Sequence, residues 1–253
     1  MIQYMKEQPD FDSAWMRKFY DYKVGKKIKN KYGDYEYYRW FLNKRKKRQY
    51  KFSTTSILFH LRDINFKNCL EIGCGPGTWT KLLLKKYPKT KFTCIDISKE
   101  MIKQFKKEIK DKRAKPIVKD FLAFNSGKKY DFIFSSRAIE YIPDKPKVIE
   151  KISNLLKDKG KGIIISSPPH PTLITIKKLF GKKVNPQHTQ RISVKNLRAL
   201  LKKNNFKNIK FYPILFTDLS FVPTSILFKF FYKKKWNFLG KMFAVTYLVK
   251  FEK

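Results

Sequence analysis

One short glycine-rich run, from Leu70 to Trp79, limits what this chain can fold into more than any other segment. It contains Gly73, Gly75 and Gly77 and lies between an apolar stretch and an amphipathic one. Glycine has no side chain, so the backbone can turn sharply there and a ligand can approach it closely. The run therefore predicts a ligand-binding turn between a strand and a helix.

The sequence around this run predicts an α/β protein. From Asn68 onward, short apolar runs alternate with longer amphipathic stretches, as in βαβ units that build a parallel sheet. Strands are predicted at 68–73, 91–96, 115–119, 130–135, 161–167, 208–217 and 243–251. Helices are predicted at 77–87, 98–112, 144–157 and 193–204, the second and last with Ser98 and Ser193 as N-caps. The last two strands have no crossover helix between them, which predicts an antiparallel ending.

The spacing of the glycines separates this turn from two better known nucleotide loops. A dinucleotide loop, G-x-G-x-x-G, would need its third glycine at position 78, which is Thr78. A P-loop would need Gly-Lys-Ser/Thr, which does not follow. The second predicted strand ends at Asp96, where a carboxylate can accept both ribose hydroxyls. The third is followed by another acid, Asp120.

The run Glu71 to Gly77, followed by Asp96 and Asp120, closely resembles the motifs of class I S-adenosylmethionine-dependent methyltransferases, over about residues 66–206. The broad group it resembles includes quinone, sterol and small-metabolite enzymes. The resemblance implies a Rossmann-like, seven-stranded, mostly parallel sheet with helices on both faces, an antiparallel last strand and an N-terminal helical cap. It also implies S-adenosylmethionine as cofactor, with Asp96 on the ribose, Ile97 beside the adenine and Asp120 on the adenine amino group. The implied cofactor-binding residues are Glu71, Gly73, Cys74, Gly75, Gly77, Asp96, Ile97, Asp120, Phe121, Ser135 and Arg137.

Two segments are predicted from this layout: a basic, aromatic helical cap at 1–66 and a methyltransferase domain at 67–253, with an amphipathic basic insertion at 221–241. The expected reaction is methyl transfer to an oxygen, nitrogen or carbon atom of a small-molecule or lipid-linked acceptor. Two alternatives stay open: an RNA methyltransferase acting on ribose or a ring nitrogen, and a non-catalytic S-adenosylmethionine-binding protein.

The acceptor leaves fewer signals in the sequence than the cofactor does. His170, His188 and Glu140 are candidate general bases, and Arg191 is a candidate ligand for an acceptor carboxylate or phosphate. After the fourth predicted strand the chain reads Ser-Ser-Arg-Ala rather than the D/N/S-P-P-Y/F/W motif of enzymes that modify exocyclic base amines. No cysteine follows Cys94, so a Pro-Cys nucleophile for pyrimidine C6 is also missing.

The composition suggests an anionic partner without identifying it. The chain has 58 lysines and arginines against 20 acidic residues, a formal net charge of +38, yet only nine of the bases are arginine. Such a lysine excess suits an anionic membrane surface or RNA, and an AT-rich genome would also produce it. The phenylalanine- and lysine-rich stretch at 221–243 fits a helix at a membrane surface, a lid, or an ordinary packed helix.

The three cysteines, Cys69, Cys74 and Cys94, form neither a disulfide framework nor a zinc pattern, so we expect no metal and a cytoplasmic protein, with peripheral membrane contact as a further interpretation. The N-terminus does not resemble a signal peptide.

Overall fold

The fold is that of a computed structural model, which describes residues 12–169, 191–216 and 244–253. Its strands are β1 (Asn68–Ile72), β2 (Lys91–Asp96), β3 (Ala114–Val118), β4 (Tyr130–Ser136), β5 (Leu156–Ser166), β6 (Lys207–Phe216) and β7 (Ala244–Glu252). They form one sheet in the order β3-β2-β1-β4-β5-β7-β6. Strand β7 is antiparallel to both of its neighbours, β5 and β6, whereas the other pairs are parallel. The predicted mostly parallel sheet with an antiparallel last strand is confirmed.

Five of the seven α-helices in the described residues begin at a side chain that accepts a hydrogen bond from a free backbone N–H group. The seven are α1 (Ser13–Tyr22), α2 (Lys29–Tyr32), α3 (Lys44–His60), α4 (Thr78–Lys86), α5 (Lys99–Glu108), α6 (Lys145–Leu155) and α7 (Val194–Lys203). Both predicted N-caps are confirmed: Ser98 accepts a hydrogen bond from the Met101 N–H at 3.2 Å, and Ser193 accepts one from the Asn196 N–H at 3.1 Å. No helix in these ranges is long and apolar enough to cross a lipid bilayer.

Two apolar layers cover the two faces of the sheet, because successive strand residues point to opposite sides. One layer holds Ile57 of α3, Leu83 of α4 and Phe105 of α5. The other holds Ile149 of α6 and Leu197 of α7. Helices therefore lie on both faces of the sheet, as expected.

The described part of the N-terminal segment is a helical cap. Helices α1 and α2 are joined by a π-helical turn, Lys23–Ile28, and a second π-helical turn, Tyr37–Phe41, precedes α3. The Asp21 carboxylate of α1 accepts a hydrogen bond of 2.6 Å from the Ser98 hydroxyl. These contacts place the cap beside the carboxyl ends of β1 and β2.

Candidate functional site

A cleft of about 1050 Å³, partly open to solvent, lies where β1, β2, β3 and β4 end. In open parallel sheets this edge is the usual place for a ligand, because the loops that follow neighbouring strands meet there. The lining includes the turn after β1 at Gly73, Asp96 at the end of β2, Asp120 after β3, and Arg137 after β4. The strand ends thus bring together residues that are far apart in sequence.

Backbone hydrogen bonds hold the glycine-rich turn against β2. The N–H groups of Gly73 and Cys74 both donate to the Ile95 carbonyl, at 2.8 and 3.0 Å. Gly75 has a φ of +56°, which side-chain-bearing residues rarely adopt. Within 4 Å, a Cβ at Gly75 would meet only the Met101 sulfur, at 3.8 Å. Gly75 therefore leaves room for a ligand to approach the backbone.

Gly77 and Glu71, both predicted to bind the cofactor, do not line the cleft. Gly77 has a φ of +89°, and a Cβ there would lie 2.3 Å from the Ile109 side chain, so a larger residue would clash. The Glu71 side chain is buried on the other side of β1, where it accepts a 2.6 Å hydrogen bond from the Thr80 hydroxyl. Burial raises the pKa of Glu71 to about 8. Both residues therefore pack in the protein interior next to the turn and do not face the cleft.

Asp96 is held in position by two backbone donors. One carboxylate oxygen accepts from the Gly75 N–H and the other from the Ser98 N–H, both at 2.9 Å. A carboxylate has about four acceptor positions, so capacity remains for hydroxyl groups of a ligand in the cleft. Burial raises the pKa of Asp96 to about 6, although the two N–H bonds oppose the rise. The group is therefore ionised at neutral pH.

The predicted adenine side of the site also lies in the cleft, with Ile97, Asp120 and Phe121 in its lining. One Asp120 oxygen accepts a 2.8 Å hydrogen bond from the Leu122 N–H, which fixes the carboxylate at the start of its loop. Together with Gly73, Cys74, Gly75, Asp96 and Arg137, these residues make up the eight predicted cofactor ligands that line the cleft.

At the end of β4, the serine that lines the cleft is one residue away from the predicted one. Ser135 was predicted to contact the cofactor, but its side chain is fully buried and its hydroxyl donates to the Ile72 carbonyl at 3.1 Å. The serine that lines the cleft is Ser136, because adjacent strand residues face opposite sides. Arg137 follows with a φ of +59°, and its Nε donates to Glu140 at 2.8 Å.

Glu140, a candidate general base, is fully buried and does not line the cleft. Its other oxygen accepts from the Ser166 hydroxyl at 3.1 Å and from the Ser167 N–H at 2.7 Å. Burial alone would raise the pKa of Glu140, but the Arg137 guanidinium and the Ser167 N–H outweigh it and lower that pKa. A carboxylate held in this way is poorly suited to take up a proton, so the structure gives no support to Glu140 as a general base, which stays a prediction.

The other predicted acceptor-side residues are only partly described. Arg191 is half-buried and does not line the cleft. Burial lowers the pKa of Arg191; the Glu140 carboxylate opposes this effect, and the Arg137 guanidinium adds to it. Its Nε is buried and has no hydrogen-bond partner among the described residues. His170 and His188 lie outside the described residues, as do all residues of the predicted 221–241 insertion.

The cap contributes residues that the sequence did not single out: Tyr20, Tyr35, Arg39 and Trp40 line the cleft, as does Tyr141 from the loop after β4. Burial raises the pKa of Tyr35 to about 12. The Arg39 guanidinium lies 4.2 Å from the centre of the Trp40 ring. The sequence does contain one signal for Arg39: arginine is rare in this lysine-rich chain, and its planar guanidinium suits specific contacts that lysine cannot make.

No group of three or more metal-ligating side chains occurs within the described ranges. The cleft is therefore defined by glycine backbone, two carboxylates, aromatic rings and guanidinium groups.

Comparison with known proteins identifies relatives of this chain. The family described as "Methyltransferase domain" matches residues 44–210, more than half of the chain. A malonyl-[acyl-carrier protein] O-methyltransferase of Ilyobacter polytropus is 31% identical over 155 residues, covering 57% of this chain and 58% of the relative. A trans-aconitate 2-methyltransferase of an Enterobacter species is 32% identical over 91 residues, covering 36% of this chain and 35% of the relative.

The chain thus spans about half the length, or less, of the curated relatives that it matches. A similar solved structure is magnesium protoporphyrin IX methyltransferase of Synechocystis with bound SAH. It has a TM-score of 0.64 and 14% identity, and the alignment covers 96% of this chain and all of the other. At that identity the likeness concerns the fold.

Proposed function

Because the chain belongs to the methyltransferase domain family, as its glycine-rich turn predicted, we propose that it binds S-adenosylmethionine in this cleft and transfers the methyl group to a small-molecule or lipid-linked acceptor. The observation that carries the proposal is the pairing of Asp96 with Gly75. The Asp96 carboxylate is oriented by the Gly75 and Ser98 N–H groups, and Gly75 itself leaves open space beside it.

The residues present fit this cofactor. Asp96 would accept the ribose hydroxyls, because its carboxylate is ionised near neutral pH and retains free acceptor positions. Ile97 and Phe121 would contact the adenine, and Asp120 would accept from its amino group. The open backbone at Gly75 would admit the methionine half. Each of these roles follows from a side chain or a backbone segment that lines the same cleft.

When bound, S-adenosylmethionine supplies a methyl group carried on a positively charged sulfur. Transfer of that methyl group to an acceptor atom leaves S-adenosylhomocysteine as the second product. The protein's contribution is to orient the acceptor and to exclude water from the cleft. Trp40 and the tyrosines of the cap provide the apolar cover. Burial raises the pKa of Tyr35 to about 12, so its hydroxyl stays neutral and would be able to donate a hydrogen bond to a bound ligand.

The first prediction concerns cofactor binding. Replacing Asp96 with alanine removes the carboxylate that would hold the ribose, so we expect the affinity for S-adenosylhomocysteine, measured by calorimetry, to fall at least about tenfold. Asp63→Ala is the matched control, since Asp63 is exposed and pairs with Arg62 away from the cleft. Equal affinities of the two variants, or no binding by the wild-type protein, would contradict the proposal.

The acceptor class requires a separate experiment. The protein is incubated with S-adenosylmethionine labelled at its methyl group and with cell extract separated into lipid, RNA, protein and small-molecule fractions. Label in the small-molecule or lipid fraction supports the proposal. Label in RNA would instead support an RNA methyltransferase, and cofactor binding without any label transfer would support a non-catalytic binding protein.

A further inference from the structure

The cleft has a second part that the proposed cofactor site does not use. Its lining includes Tyr20, Tyr35 and Arg39 from the cap, and Arg137 and Tyr141 from the loop after β4. An acceptor must lie next to the methyl donor in the same cleft. These residues are therefore placed to contact the acceptor.

Two guanidinium groups, those of Arg39 and Arg137, line this part of the cleft, and Arg191 is near enough to Arg137 for their charges to interact. Glu140 pairs with Arg137, at 2.8 Å, and the same carboxylate opposes the lowering of the Arg191 pKa by burial. Arg39 has no carboxylate partner among the described residues, and its guanidinium lies over the Trp40 ring. Glu140 thus interacts with two of the three guanidinium groups, and Arg39 is left without a carboxylate among the described residues.

While no anion is bound, this arrangement is unfavourable for Arg39, whereas Glu140 outweighs burial and raises the pKa of Arg137. Burial and the nearby Arg137 both lower the pKa of Arg39, which means that the surroundings disfavour its charged form. An oxyanion between the guanidinium groups would reverse this, because a charge-assisted, two-pronged hydrogen bond is among the strongest contacts that arginine makes. Tyr20 and Tyr35 line the same cleft, and their neutral hydroxyls can donate further hydrogen bonds, whereas the Tyr141 hydroxyl already bonds to Glu140 and Arg137.

We infer that the acceptor carries a carboxylate or phosphate group, which Arg39 and Arg137 bind in the part of the cleft covered by the cap. This inference rests on the methyl transfer proposed above. It assigns Arg39 to acceptor recognition and moves Arg137 from the cofactor to the acceptor.

One other source could supply the same chemistry, namely the carboxylate of the methionine half of the cofactor. Two nucleosides, one with this carboxylate and one without it, distinguish the two sources. S-adenosylhomocysteine carries that carboxylate, whereas 5′-methylthioadenosine lacks it. An arginine that binds the acceptor leaves the affinity for both nucleosides unchanged, and an arginine that binds the donor affects only the first.

The test titrates malonate and, separately, inorganic phosphate into the full chain saturated with S-adenosylhomocysteine, by calorimetry at constant ionic strength. We expect at least one of these anions to bind. Arg39→Gln should weaken that binding at least about tenfold. Arg39→Lys keeps the charge but loses the planar fork, so it should give an intermediate loss. If circular dichroism shows that Arg39→Gln does not fold, the anion affinity of Arg39→Lys is used to test the inference instead.

Arg17→Gln is the matched control, since Arg17 is an exposed arginine of α1 that does not line the cleft. It removes the same charge from the same cap and should leave anion binding unchanged. Equal losses in the Arg17 and Arg39 variants would overturn the inference, because they would indicate general attraction to a chain of charge +38. Absence of anion binding to the wild-type complex would also overturn it.

A third contradicting outcome is a loss of S-adenosylhomocysteine affinity in Arg39→Gln with unchanged affinity for 5′-methylthioadenosine, which would place the donor's carboxylate on Arg39. These outcomes differ from failure of the proposed function. In that case neither nucleoside would bind the wild-type protein at all, whatever the anion titrations give.

Discussion

Glu71 and Asp96 are carboxylic acids near the same turn, and burial raises the pKa of both, yet they occupy different environments. Asp96 receives two backbone N–H bonds and lines the cleft, whereas Glu71 receives a bond from the Thr80 hydroxyl inside the core. The pKa is raised to about 6 for Asp96 and to about 8 for Glu71. At pH 7, Asp96 is ionised and available to a ligand, while Glu71 is largely protonated and contributes to the core.

The raised pKa of Glu71 predicts a pH-dependent stability. In the unfolded chain Glu71 ionises near its ordinary pKa of 4.5, whereas in the folded protein its pKa is about 8. The folded state therefore binds more protons between these values. The stability that Glu71 contributes is complete below about pH 4.5 and is lost as the pH rises to about 8. Glu71→Gln cannot ionise, so its unfolding free energy relative to the wild type should rise with pH across this window, by at most about 1.4 kcal/mol per unit.

Urea unfolding followed by circular dichroism at several pH values between 4 and about 9 measures this difference. Glu150→Gln, at an exposed position of α6, controls for the loss of one carboxyl group. A difference between Glu71→Gln and the wild type that stays constant over the whole range would show that Glu71 does not titrate in this way.

At the residue scale, the cleft residues at the strand ends could be predicted from the sequence, and those that the cap contributes could not. Asp96 and Asp120 follow recognisable strands, and the carboxyl ends of parallel strands meet at one edge. Arg39 lies in the π-helical turn Tyr37–Phe41, which has no characteristic sequence period and is placed by tertiary contacts. The serine in the cleft lining is Ser136 rather than the predicted Ser135. When a strand end is known only approximately, the sequence does not determine which of two adjacent side chains faces the cleft.

At the scale of elements, contact between α1 and α5 connects the cap to the cofactor side of the cleft. The Asp21 carboxylate accepts from the Ser98 hydroxyl at 2.6 Å and from the Glu100 N–H at 3.3 Å, at the beginning of α5. A carboxylate at a helix N-terminus is also favoured by the helix dipole. Because Ser98 donates its own N–H to Asp96, one short chain of contacts joins cap, helix and predicted ribose ligand.

Loss of this connection should loosen α1 specifically. Asp21→Ala removes two acceptor contacts, so we expect the unfolding free energy to fall by about 1–2 kcal/mol and the α1 amides to exchange hydrogen faster. Hydrogen exchange followed by mass spectrometry measures the second effect. Asp34→Ala is a suitable control, since the Asp34 carboxylate accepts from the Tyr37 N–H inside the cap. Unchanged exchange of α1 in Asp21→Ala would show that other contacts hold the cap.

The elements themselves were predictable where one signal dominated. The starts of α5 and α7 followed from Ser98 and Ser193, whose side chains cap the backbone as expected. The start of β5, in contrast, could not be predicted from the sequence. The strand was predicted from 161 but begins at Leu156, because Leu156 pairs with Tyr130 before a shift in register. The intervening polar residues include Lys159 with a φ of +62°, which no hydrophobic pattern could have indicated.

For the whole molecule, the cap and the sheet share one core. Trp40 and Ile57 from the N-terminal segment belong to the same buried cluster as Phe92 and Phe132 of the sheet. The Lys250 ammonium of β7 also donates to the His60 carbonyl at the end of α3, at 2.9 Å. The cap therefore contributes to the stability of the domain as well as to the lining of the cleft.

A shared core predicts one unfolding transition. Urea midpoints from far-UV circular dichroism and from tryptophan fluorescence should coincide, because Trp15 and Trp40 of the cap report on the same event as the sheet. Ile57→Ala should move both midpoints together and cost about 2–4 kcal/mol, since Ile57 is fully buried. Leu58→Ala, at the neighbouring half-buried position, should cost less. An earlier fluorescence transition would indicate a cap that unfolds separately.

The position of β7 has a consequence for how the protein is made. Strand β7 is formed by residues 244–252, yet it lies inside the sheet between β5 and β6. While the ribosome is still translating the residues before it, β5 and β6 have no strand to pair with on their inner sides. Such unpaired edges invite contacts with other nascent chains. The native sheet can be completed only after residue 252 has left the exit tunnel, so chaperone binding should be strongest just before that moment.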